Sequence, residues 1–174
     1  MSSCSRVALV TGANKGIGFA ITRDLCRKFS GDVVLTARDE ARGKAALQQL
    51  QAEGLSARFH QLDIDDPHSI RALRDFLLKD YGGLDVLVNN AGIAFKNADP
   101  TPFHIQAEVT MKTNFFGTQN VCTELLPLMK PQGECGGRFP GRPSPSGPLC
   151  HLGVWFCPFG LDSSVAPDSL SLQL

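Results

Sequence analysis

The chain lacks an excess of charge of either sign, with 17 Lys and Arg residues against 17 Asp and Glu residues among 174. Proteins that bind nucleic acid through net charge carry a surplus of Lys and Arg, so this balance excludes a polybasic nucleic-acid-binding protein. No apolar run approaches the roughly 18 residues that a transmembrane helix needs. Met1–Arg6 has neither the basic nor the apolar region of a secretory signal, so we predict neither a signal nor a membrane partner.

The six cysteines lack the paired spacings of a disulfide framework. Unpaired thiols are typical of a reducing cytosol, so we predict a cytoplasmic protein with free cysteines. Cys135, Cys150, His151 and Cys157 do not form two closely spaced ligand couples, and we predict no metal site.

Charged residues become scarce after Gly133. Residues 134–174 contain 5 charged residues, 6 Pro and 6 Gly in 41 positions, a composition near that of non-periodic disorder. We therefore predict two parts, a globular domain over 1–133 and a divergent, disordered Pro/Gly-rich tail over 134–174. Leu152–Cys157 allows two interpretations, an edge strand against the domain or an exposed apolar segment of the tail, and we favour the second.

Short apolar runs alternate with helical patterns through residues 1–133. This alternation predicts an α/β fold, the N-terminal part of a Rossmann-type doubly wound parallel sheet with about four strands in the order 3-2-1-4. Asp66 and Pro67 predict a capped helix start, and Thr101 opens a long helix to about Met129. The predicted strands are Val7–Val10, Asp32–Ala37, Ala57–Leu62 and Leu84–Val88, and in the predicted helix Glu40–Glu53 the residues Ala45, Ala46 and Leu50 face inward.

A glycine-rich turn joins the first strand to the first helix. A dinucleotide pyrophosphate needs a sharp turn, close backbone approach and the N–H groups of a helix N-terminus. Gly12, Gly16 and Gly18 stand where such a turn is needed, although their spacing is G-x-x-x-G-x-G and a plain turn is the alternative.

Arg38 follows the second strand, 20 residues after Gly18. An acidic residue near this position binds the ribose 2′-hydroxyl of NAD, whereas an arginine favours the 2′-phosphate of NADP. Lys15 adds a second cation within the turn. We predict a preference for NADP, with solvated surface charges as the alternative and with Asp39 as a neighbouring acid.

Two polar segments follow the third and fourth strands. Ligands bind at the carboxyl ends of parallel strands, so Asp63 and Asn89–Gly92 are expected to face a cofactor. The alternatives are that Asp63 caps the following helix and that Asn89–Gly92 is only a turn.

These motifs, together with Asn114 in the long helix, resemble those of the short-chain dehydrogenase/reductase family. Val7–Gly18, Gln61–Asp66 and Met111–Gly117 are similar to the cytosolic NADPH-dependent carbonyl reductases within it. The resemblance covers residues 1 to about 133. It implies a Rossmann fold, NADPH as cofactor, and the reduction of quinones, aldehydes and ketones.

The resemblance also implies roles for individual residues. Asn114 corresponds to the asparagine of the family's catalytic tetrad, which holds a water of the proton relay. Phe95 and Gln106 correspond to substrate-side positions, with a loop anchor and a surface helix residue as their alternatives. The implied cofactor contacts are Gly12, Asn14, Lys15, Gly16, Ile17 and Gly18 at the pyrophosphate and ribose, Arg38 at the 2′-phosphate, Asp63 and Ile64 at the adenine, and Asn90 at the nicotinamide-side ribose.

The pattern departs from the family after Gly133. The family continues with a strand ending in a catalytic Ser and with Tyr-x-x-x-Lys, where the Tyr donates a proton and the Lys lowers its pKa. The single tyrosine here, Tyr81, precedes Gly-Gly-Leu-Asp, and Lys130 is the last lysine. The composition change indicates a different reading frame or exon after Gly133, and we predict negligible carbonyl reduction.

Three functional hypotheses follow. The chain is an NADPH-dependent carbonyl reductase by descent, a non-catalytic NADPH-binding or interaction module, or an unstable product without a function. The motifs support the first hypothesis as ancestry, and the missing proton donor opposes it as an activity.

Overall fold

The structure is a computed structural model, and it describes residues 5–131. Strands and helices alternate along these residues as the sequence predicts. The elements are β1 (Val7–Val10), α1 (Gly16–Lys28), β2 (Asp32–Ala37), α2 (Glu40–Ala52), β3 (Arg58–Gln61), α3 (Pro67–Tyr81), β4 (Val86–Val88), α4 (Phe103–Met111), a π-helical turn (Lys112–Gly117), α5 (Thr118–Leu125) and a 3₁₀ turn (Leu126–Leu128).

The four strands form one parallel sheet in the order β3-β2-β1-β4. Leu9, at the centre of the sheet, aligns with Val34 of β2 on one side and Leu87 of β4 on the other. The predicted strand order and the α/β doubly wound architecture are therefore confirmed. The predicted domain boundary and the tail 134–174, including Leu152–Cys157, lie outside the described residues and stay predictions.

Apolar residues cover both faces of the sheet. On one face, α3 and α5 pack Ile70, Leu77 and Val121 against the strands. On the other face, α1 and α2 contribute Leu25 and Leu50. Both faces of a parallel sheet are buried by its crossover helices, which explains why β1 is a continuous apolar run with all four residues buried.

Side-chain caps determine where two helices begin. The Asp66 carboxylate accepts a hydrogen bond from the His68 N–H, and Pro67 occupies the first position of α3, as predicted. The Asp39 carboxylate caps α2 in the same way by accepting from the Arg42 N–H. The helix α2 buries Ala46 and Leu50 as expected, but the prediction that Ala45 faces inward is wrong because its side chain is exposed.

The long helix predicted after Thr101 is present but interrupted. Its α-helical parts, α4 and α5, are separated by the six-residue π-helical turn that contains Asn114. A π-helical turn is widened by one residue and is frequent at functional sites. The sequence prediction of one continuous helix did not reveal this turn, whose buried residues are Thr113 and Gly117 while Phe115 and Phe116 are exposed.

The fourth strand is shorter than predicted, and its first residues have a different partner. Leu84 forms a parallel bridge with Met129, in which the Leu84 N–H donates to the Leu128 carbonyl and the Lys130 N–H donates to the Leu84 carbonyl. The start of this edge strand is therefore paired at Leu84. The ammonium group of Lys130 also donates to the Ser5 carbonyl at 3.0 Å.

Candidate functional site

The carboxyl ends of the four strands lie at one edge of the sheet, where the loops after β1, β3 and β4 meet. Thr11 follows β1 directly and connects two of these loops. Its N–H donates to the Val88 carbonyl, and its hydroxyl oxygen accepts from the N–H groups of Asn90 and Ala91 at 3.0 Å each. One buried threonine therefore holds the start of the glycine turn against the end of β4.

The glycine turn has the backbone geometry that its sequence requires. Gly12 and Gly16 have φ values of +63° and +58°, a region that side chains with a Cβ rarely adopt. A Cβ on Gly12 would lie 2.8 Å from the Ala91 Cα, whereas one on Gly16 would meet no atom within 4 Å. Gly12 thus serves close packing between loops, and Gly16 leaves open space at the N-terminus of α1.

The Asn90 side chain stabilises the glycine turn through hydrogen bonds. Its side-chain amide donates to the carbonyls of Thr11 at 3.0 Å and Gly12 at 2.9 Å. A Cβ on Gly18 would lie 2.3 Å from the Asn90 Nδ2 atom, so this glycine permits the close approach. Asn89–Gly92 is therefore part of the turn's support and more than a plain turn, while the predicted contact of Asn90 with a ribose stays a prediction.

Two cations border the turn. Lys15 and Arg38 are both exposed, and neither takes part in an ion pair within residues 5–131. The neighbouring Asp39 directs its carboxylate to the N-terminus of α2, where it caps the Arg42 N–H at 2.9 Å. The acid next to Arg38 in the sequence thus has a structural role of its own.

Asp63 and Ile64 lie where β3 ends, as predicted. The Asp63 carboxylate accepts from the Asp65 N–H at 3.0 Å and does not cap α3, because Asp66 does so. Ile64 is 6% exposed and belongs to the core. The adenine contacts of both residues stay predictions.

Asn114 joins the π-helical turn to the loop after β4. Its side-chain oxygen accepts from the Ile93 N–H at 2.8 Å, and its side-chain nitrogen donates to the Ile93 carbonyl at 2.8 Å. This two-point contact lies beside Gly92, where an added Cβ would be 3.2 Å from the Asn114 oxygen. The structure brings Asn114 to the same edge as the glycine turn.

The predicted substrate-side residues lie in and beside the loop that precedes α4. Phe95 is half-buried in this loop. The Gln106 side chain donates to the Thr101 carbonyl at 2.7 Å and so fastens the loop to α4. Hydrogen bonds from Thr101 hold the pKa of the nearby Asp99 carboxyl below its ordinary value. Contact of Phe95 and Gln106 with a substrate stays a prediction.

Of the remaining predicted residues, Asn14 is half-buried in the turn and Ile17 is 40% exposed on the first turn of α1. Contact of Asn14 and Ile17 with a cofactor stays a prediction. No group of three or more potential metal ligands occurs in the described residues 5–131, and none of the helices there is long and apolar enough to span a bilayer.

Sequence reasoning missed Asp65 and Thr113. The Thr113 hydroxyl donates to the Asp65 carboxylate at 2.7 Å across 48 residues of sequence. A contact between residues so far apart has no local signal. Only the close approach of the π-helical turn to the loop after β3 creates it.

A family model described as "short chain dehydrogenase" matches residues 6–138. The chain belongs to the short-chain dehydrogenase family. It is 88% identical over 134 residues to "Carbonyl reductase [NADPH] 3" of Mus musculus and 85% identical over 134 residues to "Carbonyl reductase [NADPH] 1" of Homo sapiens. These matches cover 77% of this chain and 48% of each relative, so the chain spans about half the length of these curated relatives.

Solved structures of the family have the same architecture. Menthone neomenthol reductase from Mentha piperita is 34% identical with a TM-score of 0.61, and the match covers 73% of this chain and 57% of that one. A metagenomic short-chain oxidoreductase in complex with NADP is 35% identical with a TM-score of 0.61, over 71% of this chain and 56% of that one. The resemblance read from the sequence motifs is therefore confirmed.

Proposed function

We propose that residues 5–131 form an NADPH-binding site of the carbonyl reductase type, and that the 174-residue chain does not reduce carbonyl compounds at a significant rate. The glycine turn carries the proposal. It combines left-handed glycines, open space at Gly16 and a helix N-terminus without an acidic first turn. Pyrophosphate is bound by helix N–H groups that it can approach closely, and the turn meets both needs.

The charges favour NADPH over NADH. In this proposal Arg38 binds the 2′-phosphate and Lys15 adds positive charge within the turn, and no ion pair within residues 5–131 competes for either side chain. NADH binding would require an acid for the ribose 2′-hydroxyl, and Asp39 is already occupied as the cap of α2. The names of the matched relatives, both carbonyl reductases marked [NADPH], agree with this assignment.

A bound NADPH would supply a hydride to the carbonyl carbon, and the carbonyl oxygen would then need a proton from an aligned acid. Asn114 is the tetrad residue that the chain retains, and its side chain is occupied by the two hydrogen bonds to Ile93. The single tyrosine of the sequence, Tyr81, is the one residue of the type that donates the proton in the family. Without an aligned acid the reduction loses roughly 10²–10⁴-fold in rate.

Tyr81 is unsuited to replace the missing donor. It ends α3 and therefore lies at the amino edge of the sheet, opposite the glycine turn. Its hydroxyl accepts from the Arg58 guanidinium at 2.9 Å, and the residue is 6% exposed. Burial raises the pKa of Tyr81 despite the opposing effect of Arg58, whereas a catalytic tyrosine needs a lowered pKa.

Calorimetric titration of the 174-residue chain with NADPH and with NADH tests the binding proposal. We expect saturable micromolar binding of NADPH and weaker binding of NADH. Arg38→Ala should weaken NADPH binding about ten-fold or more, because a charge-assisted contact is lost, and should leave NADH unchanged. Arg27→Ala is the matched control, since Arg27 is an exposed arginine paired with Glu53 at the far end of α1.

The activity proposal is tested with a quinone and NADPH, in protein purified free of any host reductase. We expect turnover at the level of a blank without protein. Turnover above that blank, lost in Asn114→Ala, would show that the chain is an active carbonyl reductase after all.

The second candidate is an unstable product without a function, and the exposed apolar side chains of α4 and the π-helical turn favour it. Phe103 is 83% exposed and Phe116 is 52% exposed. Absence of heat with both nucleotides, while full-length mouse carbonyl reductase binds NADPH normally, would support this candidate. Binding that raises the free energy of unfolding by about 2.7 kcal/mol at 100 times the dissociation constant would exclude it.

A further inference from the structure

The π-helical turn is held by side-chain hydrogen bonds from two neighbouring residues. Within the described chain, Thr113 binds Asp65 in the loop after β3, and Asn114 binds Ile93 in the loop after β4. Successive helical residues point in directions about a quarter-turn apart, so each anchor reaches a different loop. A widened helical turn is stable only where tertiary contacts hold it, and these two contacts are suited to do so.

Asp65 lies close to two residues of the π-helical turn, Thr113 and Gly117. Thr113 is 8% exposed, and its hydroxyl donates to the Asp65 Oδ2 atom at 2.7 Å. A Cβ on Gly117 would lie 3.1 Å from both the Asp65 Oδ1 atom and the Ile64 carbonyl oxygen. Gly117 of the turn therefore lies close to Ile64 and Asp65 of the loop, where an added side chain would have little space.

The other oxygen of Asp65 is unusual. The Oδ1 atom is buried and has no hydrogen-bond partner within residues 5–131. A buried carboxylate oxygen without a partner is costly, and a hydrogen bond to the other oxygen of the same carboxylate offsets part of that cost. That compensating contact is the charge-assisted hydrogen bond from Thr113.

Asp65 is also tied to the predicted adenine side of the site. Its N–H donates to the Asp63 carboxylate at 3.0 Å. A continuous path of hydrogen bonds and adjacent residues thus runs from Asp63 through Asp65, Thr113 and Asn114 to Ile93.

We propose that Asp65 and Thr113 are positioning residues, whose hydrogen bond holds the π-helical turn so that Asn114 binds Ile93 and shapes the nicotinamide side of the site. The nucleotide part of this inference rests on the proposed NADPH binding. The structural part does not, because it concerns the Asn114–Ile93 contact in the protein without nucleotide.

Hydrogen exchange of the Ile93 amide tests the structural part without nucleotide. Thr113→Val keeps the shape of the side chain and removes the hydroxyl. We expect the Ile93 amide, which donates to Asn114, to exchange about ten-fold faster, while the amides of β1 are unchanged. Thr113→Ser should restore the slow rate. Thr123→Val is the matched control, because its hydroxyl bonds only to the Gln119 carbonyl within α5.

Asp65→Asn provides a second variant that does not depend on the folding of Thr113→Val. It keeps an acceptor for the Thr113 hydroxyl and removes the charge, so it should fold and should exchange the Ile93 amide a few-fold faster than the wild-type chain. An Ile93 exchange rate that is unchanged in Asp65→Asn, or that changes equally in Thr123→Val, would overturn the inference.

Nucleotide titrations test the second part. Thr113→Val should bind adenosine 2′,5′-bisphosphate as the wild-type chain does and should bind NADPH about five-fold more weakly, because only NADPH reaches the nicotinamide side. An equal loss for both ligands would overturn this assignment. If the wild-type chain binds neither ligand, the proposed function fails, and the exchange experiment alone decides whether Asp65 and Thr113 position Asn114.

Discussion

Gly18→Ala offers the sharpest test of how the glycine turn is built. The added Cβ would lie 2.3 Å from the Asn90 Nδ2 atom and 2.6 Å from the Gly12 carbonyl oxygen. Neither distance is sterically possible, so Asn90 must withdraw from the turn. Withdrawal removes its two hydrogen bonds, to the Thr11 and Gly12 carbonyls.

The expected cost has two parts. Two hydrogen bonds contribute about 1 kcal/mol each to the free energy of unfolding, and forcing a methyl group into a filled space costs a further 1–3 kcal/mol or so. We expect Gly18→Ala to destabilise the chain by about 3–5 kcal/mol. Since domains are stable by only about 5–15 kcal/mol, this is a large fraction of the total.

Urea unfolding of four proteins measures the effect: the wild-type chain, Gly18→Ala, Asn90→Ala and the double variant. Asn90→Ala alone should cost about 2 kcal/mol, because both of its hydrogen bonds to the turn are lost. The double variant should lose less free energy of unfolding than the two single variants lose together. Asn90→Ala removes the clash of the added methyl group with the Asn90 side chain and leaves only the clash with the Gly12 carbonyl oxygen.

Gly82→Ala is the control for the effect of an added methyl group at a glycine. Gly82 has φ +67°, and a Cβ added there would meet no atom within 4 Å, so backbone strain is its main cost, about 1–2 kcal/mol. Single-variant costs that simply add, or a Gly18→Ala cost no larger than that of Gly82→Ala, would refute the close approach of Asn90 to α1.

Three further predictions concern other parts of the chain. Asp66→Ala removes the cap of α3 and should lower the free energy of unfolding by about 1 kcal/mol in urea titrations; no change would contradict the capping role. Burial raises the pKa of the Cys122 thiol although the Asn89 amide opposes it, so at pH 8 the thiolate is scarcer than in a free cysteine. Iodoacetamide should therefore modify Cys122 more slowly than it modifies a cysteine-containing peptide, and denaturation should abolish the difference. A cytoplasmic location is our remaining prediction, and cell fractionation that finds the chain chiefly with membranes would contradict it.

Much of the fold is predictable because its signals are local. Val7–Val10 and Asp32–Ala37 are observed with the predicted bounds, since buried parallel strands are short apolar runs that end at polar or glycine residues. The start of α3 follows from Asp66 and Pro67 for the same reason. The shortened β4 was not predictable, because Leu84 is paired with Met129, a residue 45 positions later.

The candidate site shows the same division. The sequence shows the glycines at 12, 16 and 18 and the cations at 15 and 38. They can be recognised there because a tight turn needs glycine and a phosphate contact needs a cation. Asp39 caps α2, and this role depends on where that helix begins. Because its carboxylate is used as a cap, Asp39 does not oppose the interpretation of Arg38 as a contact for the 2′-phosphate.

The sequence by itself determined the parallel α/β sheet and the glycine turn, because strand length, helix caps and glycine conformation are properties of a few adjacent residues. The family was indicated by the resemblance of its motifs. Only the tertiary structure decided that Asn90 supports the turn, that Tyr81 lies at the opposite edge, and that Asp65 holds the π-helical turn. These contacts join residues 23 to 79 positions apart, and such pairs are brought together by the packing of the sheet and its helices rather than by local preference.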